Sequence, residues 1–450
     1  MENIFKYDIY TTLGPYSVPV FCYSSHCAQT QRTACGPHRR AQCRLPHRLT
    51  IALTILLLFI ALESRKTQAA EAVPQDEIIL GMSTALTGNA GKLGKDMQRG
   101  ILAGLERANR KGGVNGRKLR LVALDDGYEP ARTAPNMRQL IETDKVLAII
   151  GNAGTPTAVV AVPMANDQKT PLFAAFSGAP ILRNDPPDRY VINFRAGYAE
   201  ETTAMIDALI DIGGLKPQEI GFFTQRDDYD DIGFVLGMTA LQRHGLKDPR
   251  TVLHVGYVGN TLAVEGAVAD LLTAESPPSA VVMIGAYSPC AKFIRLCRAS
   301  GLNPLFLNVS FVGGNSFAEA LGKSDAHIIV TQVVPFPSDD NVPLVREYQS
   351  DLKVMDPSAS AGFGDLEGYI AIRILTLALQ KIEGPPTREA VVDALEGLGQ
   401  FDIGLGYQLH LSRFEHQASH QVWPTILNGD RLVPFQWSDI ATLLKLESLP

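Results

Sequence analysis

Two rounds of alternating strand and helix signals run through this chain of 450 residues, and they restrict it to an α/β fold. Short apolar runs read as strands buried on both faces: Ile78-Ile79-Leu80, Leu119–Leu124, Val146–Ile150 and Leu172–Ala175. Between them apolar residues recur every three or four positions, as in Met97, Ile101, Leu105 and Ala108, then Met137, Leu140 and Ile141. Gly112, Gly113 and Gly116 end the first of these helices. After a strand and crossing at Tyr190–Phe194 the pattern starts again. It predicts a helix over 200–212, strands at Ile220–Thr224, Thr251–Tyr257, Ala280–Ile284 and Leu305–Asn308, and helices near 231–243, 261–274 and 289–300. A strand runs into the Pro-bearing segment Ile328–Pro337; helices over 342–354, 365–382 and 387–397 and strands near 407–411 and 421–427 complete the chain. Such alternation buries its apolar faces as parallel sheets with helices on both sides. Two rounds imply two lobes and a cleft.

Residues 49–62, LTIALTILLLFIAL, lie outside that pattern. Arg39, Arg40, Arg44 and Arg48 precede this apolar run, and Ala69, Ala70 and Ala72 follow it. Basic flank, apolar run and small residues are the order of a secretory signal peptide over 49–72, with cleavage expected before Val73. An uncleaved membrane anchor is the alternative, although the run is short for a span of about 20 residues. Residues 1–48 read as a non-native or unstructured extension. A start upstream of the true one accounts for them, and with no Met between Met1 and Met82 the true start would fall on a non-standard codon, at Leu45 or Leu49.

Cys22, Cys27, Cys35 and Cys43 belong to this extension, and their spacing is not a paired zinc pattern. Cys290 and Cys297 stand seven residues apart on one predicted helix, about 10 Å, too far for a disulfide. A net charge of −6 over the whole chain argues against a nucleic-acid partner. Mean hydropathy of +0.03 is too low for a multi-span membrane protein.

Ligands of open α/β sheets sit beyond the carboxyl ends of strands, often on helix N-termini. Four segments occupy such places. The first is Thr84-Ala85-Leu86-Thr87-Gly88 with Lys92-Leu93-Gly94. The second is Gly151-Asn152-Ala153-Gly154-Thr155-Pro156-Thr157, where Thr155 reads as an N-cap and Pro156 as the first helical residue, an arrangement suited either to capping or to an anion. The third is Phe176-Ser177-Gly178-Ala179. The fourth, Gln225-Arg226-Asp227-Asp228-Tyr229-Asp230-Asp231, lacks the alternate spacing of a calcium loop and reads as an acidic helix start. His410, His416 and His420 read as exposed loop histidines, with a metal site as the alternative. Nucleophile-elbow, phosphate-loop and zinc-protease motifs are missing, so no catalytic residues, no metal and no cofactor are expected.

Together these segments resemble the type I periplasmic solute-binding proteins, in the branched-chain amino acid (Leu/Ile/Val) receptor family of ABC transporters. The resemblance covers roughly residues 76–435 and is strongest in the stretch from Ile79 to Ile141, in Leu147–Leu182 and in Val330–Pro337. It implies two Rossmann-like lobes joined by three crossings, closing like a Venus flytrap on a ligand between them. The crossings would fall near 194–198, 331–337 and 402–408. Lobe 1 would comprise 76–196 and 334–403, and lobe 2 would comprise 197–333 and 404–450.

The resemblance also implies site roles. Thr155 corresponds to the hydroxyl that holds a ligand carboxylate, and Phe176, Ser177 and Gly178 to the second carboxylate loop. Leu93 stands at a first-lobe position that is often aromatic. Tyr198 faces the cleft past the first crossing, Tyr229 corresponds to a second-lobe aromatic that closes over the ligand, and Phe363 is a further wall. Amino-acid binders of this family place a Glu after Gly-x-Tyr-x-Pro for the ligand ammonium. Here Gly285-Ala286-Tyr287-Ser288-Pro289 is followed by Cys290. A buried ammonium without a carboxylate is costly, so a carboxylate with an apolar or aromatic body is expected, unless Asp227 or Asp228 substitutes. The implied partners are a small-molecule ligand and an ABC permease or a membrane sensor, the implied location periplasmic. A sensory ligand-binding subunit and an exported α/β hydrolase are the alternatives.

Overall fold

The structure, a computed structural model, describes residues 77–226, 232–324 and 327–447. The expected extension, signal peptide and Tyr229 lie outside the described residues. β1 (Glu77–Thr84) leads to α1 (Gly91–Arg110), β2 (Lys118–Asp125) to α2 (Pro130–Arg138), and β3 (Ala148–Ile150) to α3 (Thr155–Asp167); β4 (Leu172–Phe173) and β5 (Val191–Ile192) follow. These strands form an all-parallel sheet in the order β2-β1-β3-β4-β5. Its central strands are fully buried because helices cover both faces, which is why they read as continuous apolar runs. β1 lies between β2 and β3, so the strand order reverses there and a crevice opens at the carboxyl ends.

The second round begins with α4 (Tyr198–Asp207). Then come β6 (Ile220–Arg226), α5 (Ile232–Arg243), β7 (His254–Val258), α6 (Glu265–Leu272), β8 (Ala280–Ile284), α7 (Tyr287–Ala299), β9 (Leu305–Asn308), α8 (Gly314–Leu321) and β10 (Ile328–Gln332). The chain returns to the first lobe as α9 (Pro343–Met355), α10 (Phe363–Gln380) and α11 (Arg388–Glu396). There α10 packs along α1, and Arg99 of α1 grips the buried Asp365 of α10 with Nε at 2.5 Å and Nη2 at 2.8 Å. β11 (Gly399–Phe401), β12 (Leu409–Leu411), β13 (Trp423–Asn428), β14 (Arg431–Pro434) and α12 (Ile440–Glu447) end the described chain. The second sheet runs β14-β13-β10-β9-β8-β6-β7, parallel from β10 to β7 and antiparallel through β13 and β14. Its core is aromatic: Phe223 stacks on Phe293 at 3.9 Å and on Tyr257 at 5.3 Å.

Connections between the two rounds run at 193–198 and beyond Gln332. The third does not run at 402–408. There the chain turns back, and β12 pairs with β11, Gly399 opposite Leu411. Residues 416–419 then lie along the first connection: Asn193 N donates to His416 O (2.6 Å), Ala418 N to Asn193 O (3.0 Å) and Ser419 N to Phe194 O (2.8 Å). The chain joins the second sheet only at Trp423, opposite Gln332. Backbone pairing at 409–411 and 416–419 therefore holds this stretch against the first lobe. Among the described residues no helix is long and apolar enough to cross a membrane.

Candidate functional site

The segments that follow β3 and β4 are joined by backbone amides. Phe176 N donates to Asn152 O at 2.7 Å, and Gly154 N donates to Phe176 O at 3.2 Å. This pairing brings Thr155 to Ser177, with their hydroxyl oxygens 3.0 Å apart. The expected cap is displaced by one residue: Gly154 holds the cap position at φ +109° and Thr155 is the first residue of α3. No side chain caps this helix, so the Thr155 hydroxyl is released from capping and meets Ser177 instead. A side chain at 154 would strike the Tyr128 ring, because a Cβ there would lie 2.3 Å from it.

Tyr198 brings a third hydroxyl close to them: against the larger effect of burial, Ser177 and Thr155 both act to lower its pKa. Gly178 admits its ring: a Cβ on Gly178 would lie 2.3 Å from Tyr198 Cδ1, and Tyr198 N donates to Gly178 O at 2.8 Å. Burial raises the Tyr198 pKa, so its hydroxyl keeps its proton and can donate. Three hydroxyls from three segments gather at the amino end of α3, donors of the kind from which an anion accepts.

Aromatic rings cover this group. Phe311, in the tight turn Ser310–Val312 after β9, lies 5.8 Å from Phe176, 6.1 Å from Tyr128 and 6.4 Å from Tyr198, measured between ring centroids. The Arg195 guanidinium stands 5.2 Å from the Phe176 ring centre. On the second lobe, Tyr257 accepts from Ala286 N (3.0 Å) and donates to Gln225 (3.0 Å), whose amide donates to Tyr128 Oη (3.2 Å). The lobes also meet at the rim, where Asn89 donates to Asn260 O (3.1 Å) and Asn260 to Gly127 O (3.2 Å).

Thr155, Phe176, Ser177, Gly178 and Tyr198 are thus brought together. Leu93 and Phe363 approach from another side. A Cβ on Gly313 would lie 2.3 Å from Leu93 Cδ2, and one on Gly314 would lie 2.7 Å from the Phe363 ring, which also meets Phe336 edge-on at 5.5 Å. Cys290 is fully buried in the first turn of α7, its Sγ near Gly285 and its N donating to Ala286 O at 3.2 Å. Burial pushes its thiol well above the usual range. Tyr229, Asp227 and Asp228 lie outside the described residues. Sequence reasoning placed Gln225 in its fourth candidate segment but missed Tyr128, Tyr257 and Phe311 beside it. Tyr128 and Phe311 follow the carboxyl ends of β2 and β9, so the rule that found Thr155 and Ser177 would have found them too.

His416 is not an exposed loop residue. It is buried, with Nδ1 2.9 Å from Val191 O and Nε2 3.1 Å from Glu396. His420 is half-exposed and lies 2.6 Å from Glu200, which raises the imidazole pKa against the opposing effect of burial.

Beneath the aromatic cover lies a buried charge cluster. Glu201 of α4 accepts from Ser310 N (2.7 Å), Ser310 Oγ (3.0 Å), Thr331 Oγ1 (2.6 Å) and Arg195 Nη2 (3.2 Å). Arg195 also reaches Glu367 of α10 at 3.5 Å and hydrogen-bonds the Ser310 hydroxyl. Burial pushes the Glu367 carboxyl up to about 7, with Arg195 pulling the other way.

Comparison with known proteins agrees with this architecture. A family model described as periplasmic binding protein matches residues 77–431. The crystal structure of a possible leucine/isoleucine/valine-binding protein from Rhodopirellula baltica SH 1 is 48% identical, covers 82% of this chain and 99% of its own, and superposes with a TM-score of 0.79. A substrate-binding periplasmic protein from Ralstonia solanacearum is 25% identical, with 80% of this chain and 100% of its own covered and a TM-score of 0.71. The Leu/Ile/Val-binding protein homolog 7 of Brucella abortus (strain 2308) is 25% identical over 381 residues, 80% of this chain and 92% of its own.

Proposed function

The chain belongs to the periplasmic binding protein family, and from that premise we propose that it captures a small carboxylate-bearing solute in the periplasm and presents it to the permease of an ABC transporter. The reading is of a receptor with no bond-making step. One observation carries the choice of ligand: the hydroxyls of Thr155 and Ser177 lie 3.0 Å apart at the amino end of a helix, with the Tyr198 hydroxyl beside them. Donors so arranged suit a carboxylate, which accepts several hydrogen bonds at once. One lobe contributes Thr155, Phe176 and Ser177, so the solute binds there first. Closure then brings Phe311, Gln225 and Tyr257 over it.

The relatives' names point to leucine, isoleucine and valine. Cys290 argues for a different head group, since this buried, uncharged thiol follows Gly-x-Tyr-x-Pro, where the resemblance implies a Glu for the ligand ammonium. We therefore favour acids with an apolar or aromatic body over α-amino acids. The remaining placements are part of the same proposal: a signal peptide over 49–72, and Tyr229 and Phe363 as further cleft walls.

Thermal unfolding of the protein against aliphatic amino acids, aromatic acids and dicarboxylates tests this. A ligand at about 100 times its Kd adds about 2.7 kcal/mol of stability. A rise in Tm with monocarboxylic acids but not with leucine or valine is the expected result. A rise with leucine and valine would overturn the role given to Cys290.

A further inference from the structure

The position of Phe311 carries an inference about ligand size that rests on the carboxylate reading above. Its ring touches an aromatic in or against each segment that supplies a hydroxyl. Tyr128 packs on Gly154 beside Thr155, Phe176 precedes Ser177, and Tyr198 bears the third hydroxyl itself. A carboxylate held by those hydroxyls must direct its carbon body away from them, toward the side on which Phe311 packs. The ring is 3% exposed and comes from the turn after β9, on the opposite lobe from Tyr128 and Phe176.

The turn that carries this ring is anchored. Glu201, fully buried, accepts from both the backbone N and the hydroxyl of Ser310, and the same carboxylate is held by Thr331 and Arg195. Behind the turn Gly313 adopts φ +72° and Leu93 closes over it, leaving no room for a side chain. Retreat of the turn would break several buried hydrogen bonds to one carboxylate. A wall fixed in this way discriminates by size, whereas a side chain on a mobile loop would repack around a larger ligand.

We infer that Phe311 is the specificity-determining wall of the cleft, setting the length of the apolar body of the carboxylic acid that the hydroxyl group binds, with Glu201 as its positioning residue. The protein then takes short, branched or unbranched acids and rejects those whose body would extend into the Phe311 ring.

Isothermal titration of the full chain as expressed and processed, with isobutyrate, 4-methylpentanoate, benzoate and 3-phenylpropionate, measures this. Phe311→Ala should lower the ratio of the 3-phenylpropionate Kd to the isobutyrate Kd by about tenfold or more, the range that added pocket volume yields for a few carbons. Phe311→Leu, which keeps an apolar side chain, should fall between wild type and Phe311→Ala. If Phe311→Ala does not fold, the comparison of Phe311→Leu with wild type decides by the same ratio. Equal weakening of all four acids, with the ratio unchanged, would overturn the inference and leave Phe311 a packing residue. Wild-type binding of both small and large acids with equal affinity would also overturn it, while the carboxylate reading stood. If neither wild type nor variants bind any of the acids, the carboxylate reading falls, and the wall with it. Glu201→Gln separates positioning from packing: it should broaden the size preference in the same direction as Phe311→Ala while the ring remains.

Discussion

The hydroxyl oxygens of Thr155 and Ser177 lie 3.0 Å apart, on loops that follow different strands of the same sheet. Each would donate one hydrogen bond to a bound carboxylate. Replacing either by Ala should weaken acid binding roughly 10- to 100-fold, the equivalent of about 1.5–3 kcal/mol for a hydrogen bond to a charged group. The double variant should lose less than the sum, because the two hydroxyls bond to each other in the free protein and either single variant already breaks that bond. Calorimetric titration of the four proteins of this cycle measures the coupling, and strict additivity would count against a shared ligand oxygen.

Gly178→Ala should damage binding through Tyr198. The added methyl would stand 2.3 Å from the Tyr198 ring and 2.6 Å from its backbone N, so the start of α4 must shift. Overpacking of this kind costs about 1–3 kcal/mol. The expected outcome is a lowered urea midpoint together with an acid affinity lower than that of Thr155→Ala. A variant with wild-type affinity would show that Tyr198 does not contribute a ligand bond.

Cys290→Glu tests the head-group argument in the gain-of-function direction. A carboxylate placed at a fully buried position without a cation should destabilise the free protein, by several kcal/mol in order of magnitude. An ammonium brought by leucine would relieve that cost. Leucine should therefore raise the Tm of the variant by more than it raises that of wild type, and the absence of any such difference would place Cys290 away from the ligand head group.

Arg195 is fully buried between Glu201 and Glu367. Arg195→Met leaves these carboxylates without their cation and should cost about 3–5 kcal/mol in chemical denaturation. Loss of less than about 1 kcal/mol would mean that the cluster takes up protons and adapts.

Glu367 gives stability a pH dependence of definite sign. Its folded pKa of about 7 lies above the value of about 4.3 expected unfolded. Between those values the folded state holds a proton that the unfolded state has released, so this group's contribution declines as pH rises from about 4.3 and is lost above about 7. Glu367→Gln removes the decline. Relative to wild type, the variant should gain stability between pH 5 and pH 8, by an amount on the order of 2–3 kcal/mol. Parallel urea midpoints for the two proteins across that range would contradict the assignment.

Much of this fold is legible in the residues because its signals are local. β8 and β9 are continuous apolar runs since both faces are covered, and α1 shows its buried stripe at helical spacing. The third connection is not legible. Gly404 and Gly406 mark a turn, and a turn there fits a crossing as well as it fits a hairpin. What decides is the pairing of 416–419 with the first connection, contacts between residues far apart in sequence. The site divides in the same way. Thr155 and Ser177 follow strand ends that their glycines announce, whereas Phe311 owes its place to Glu201, more than a hundred residues earlier.

The stitching of residues 416–419 to residues 193–194 has a mechanical consequence. The ribbons at 193–194 and 416–419 are laced together by amides, and the third leaves its strand at Gln332, opposite Trp423 where the second of them ends. A lobe carried on ribbons gathered so closely would move as a leaf on a hinge, and its opening would carry the Phe311 ring away from the hydroxyls of Thr155, Ser177 and Tyr198.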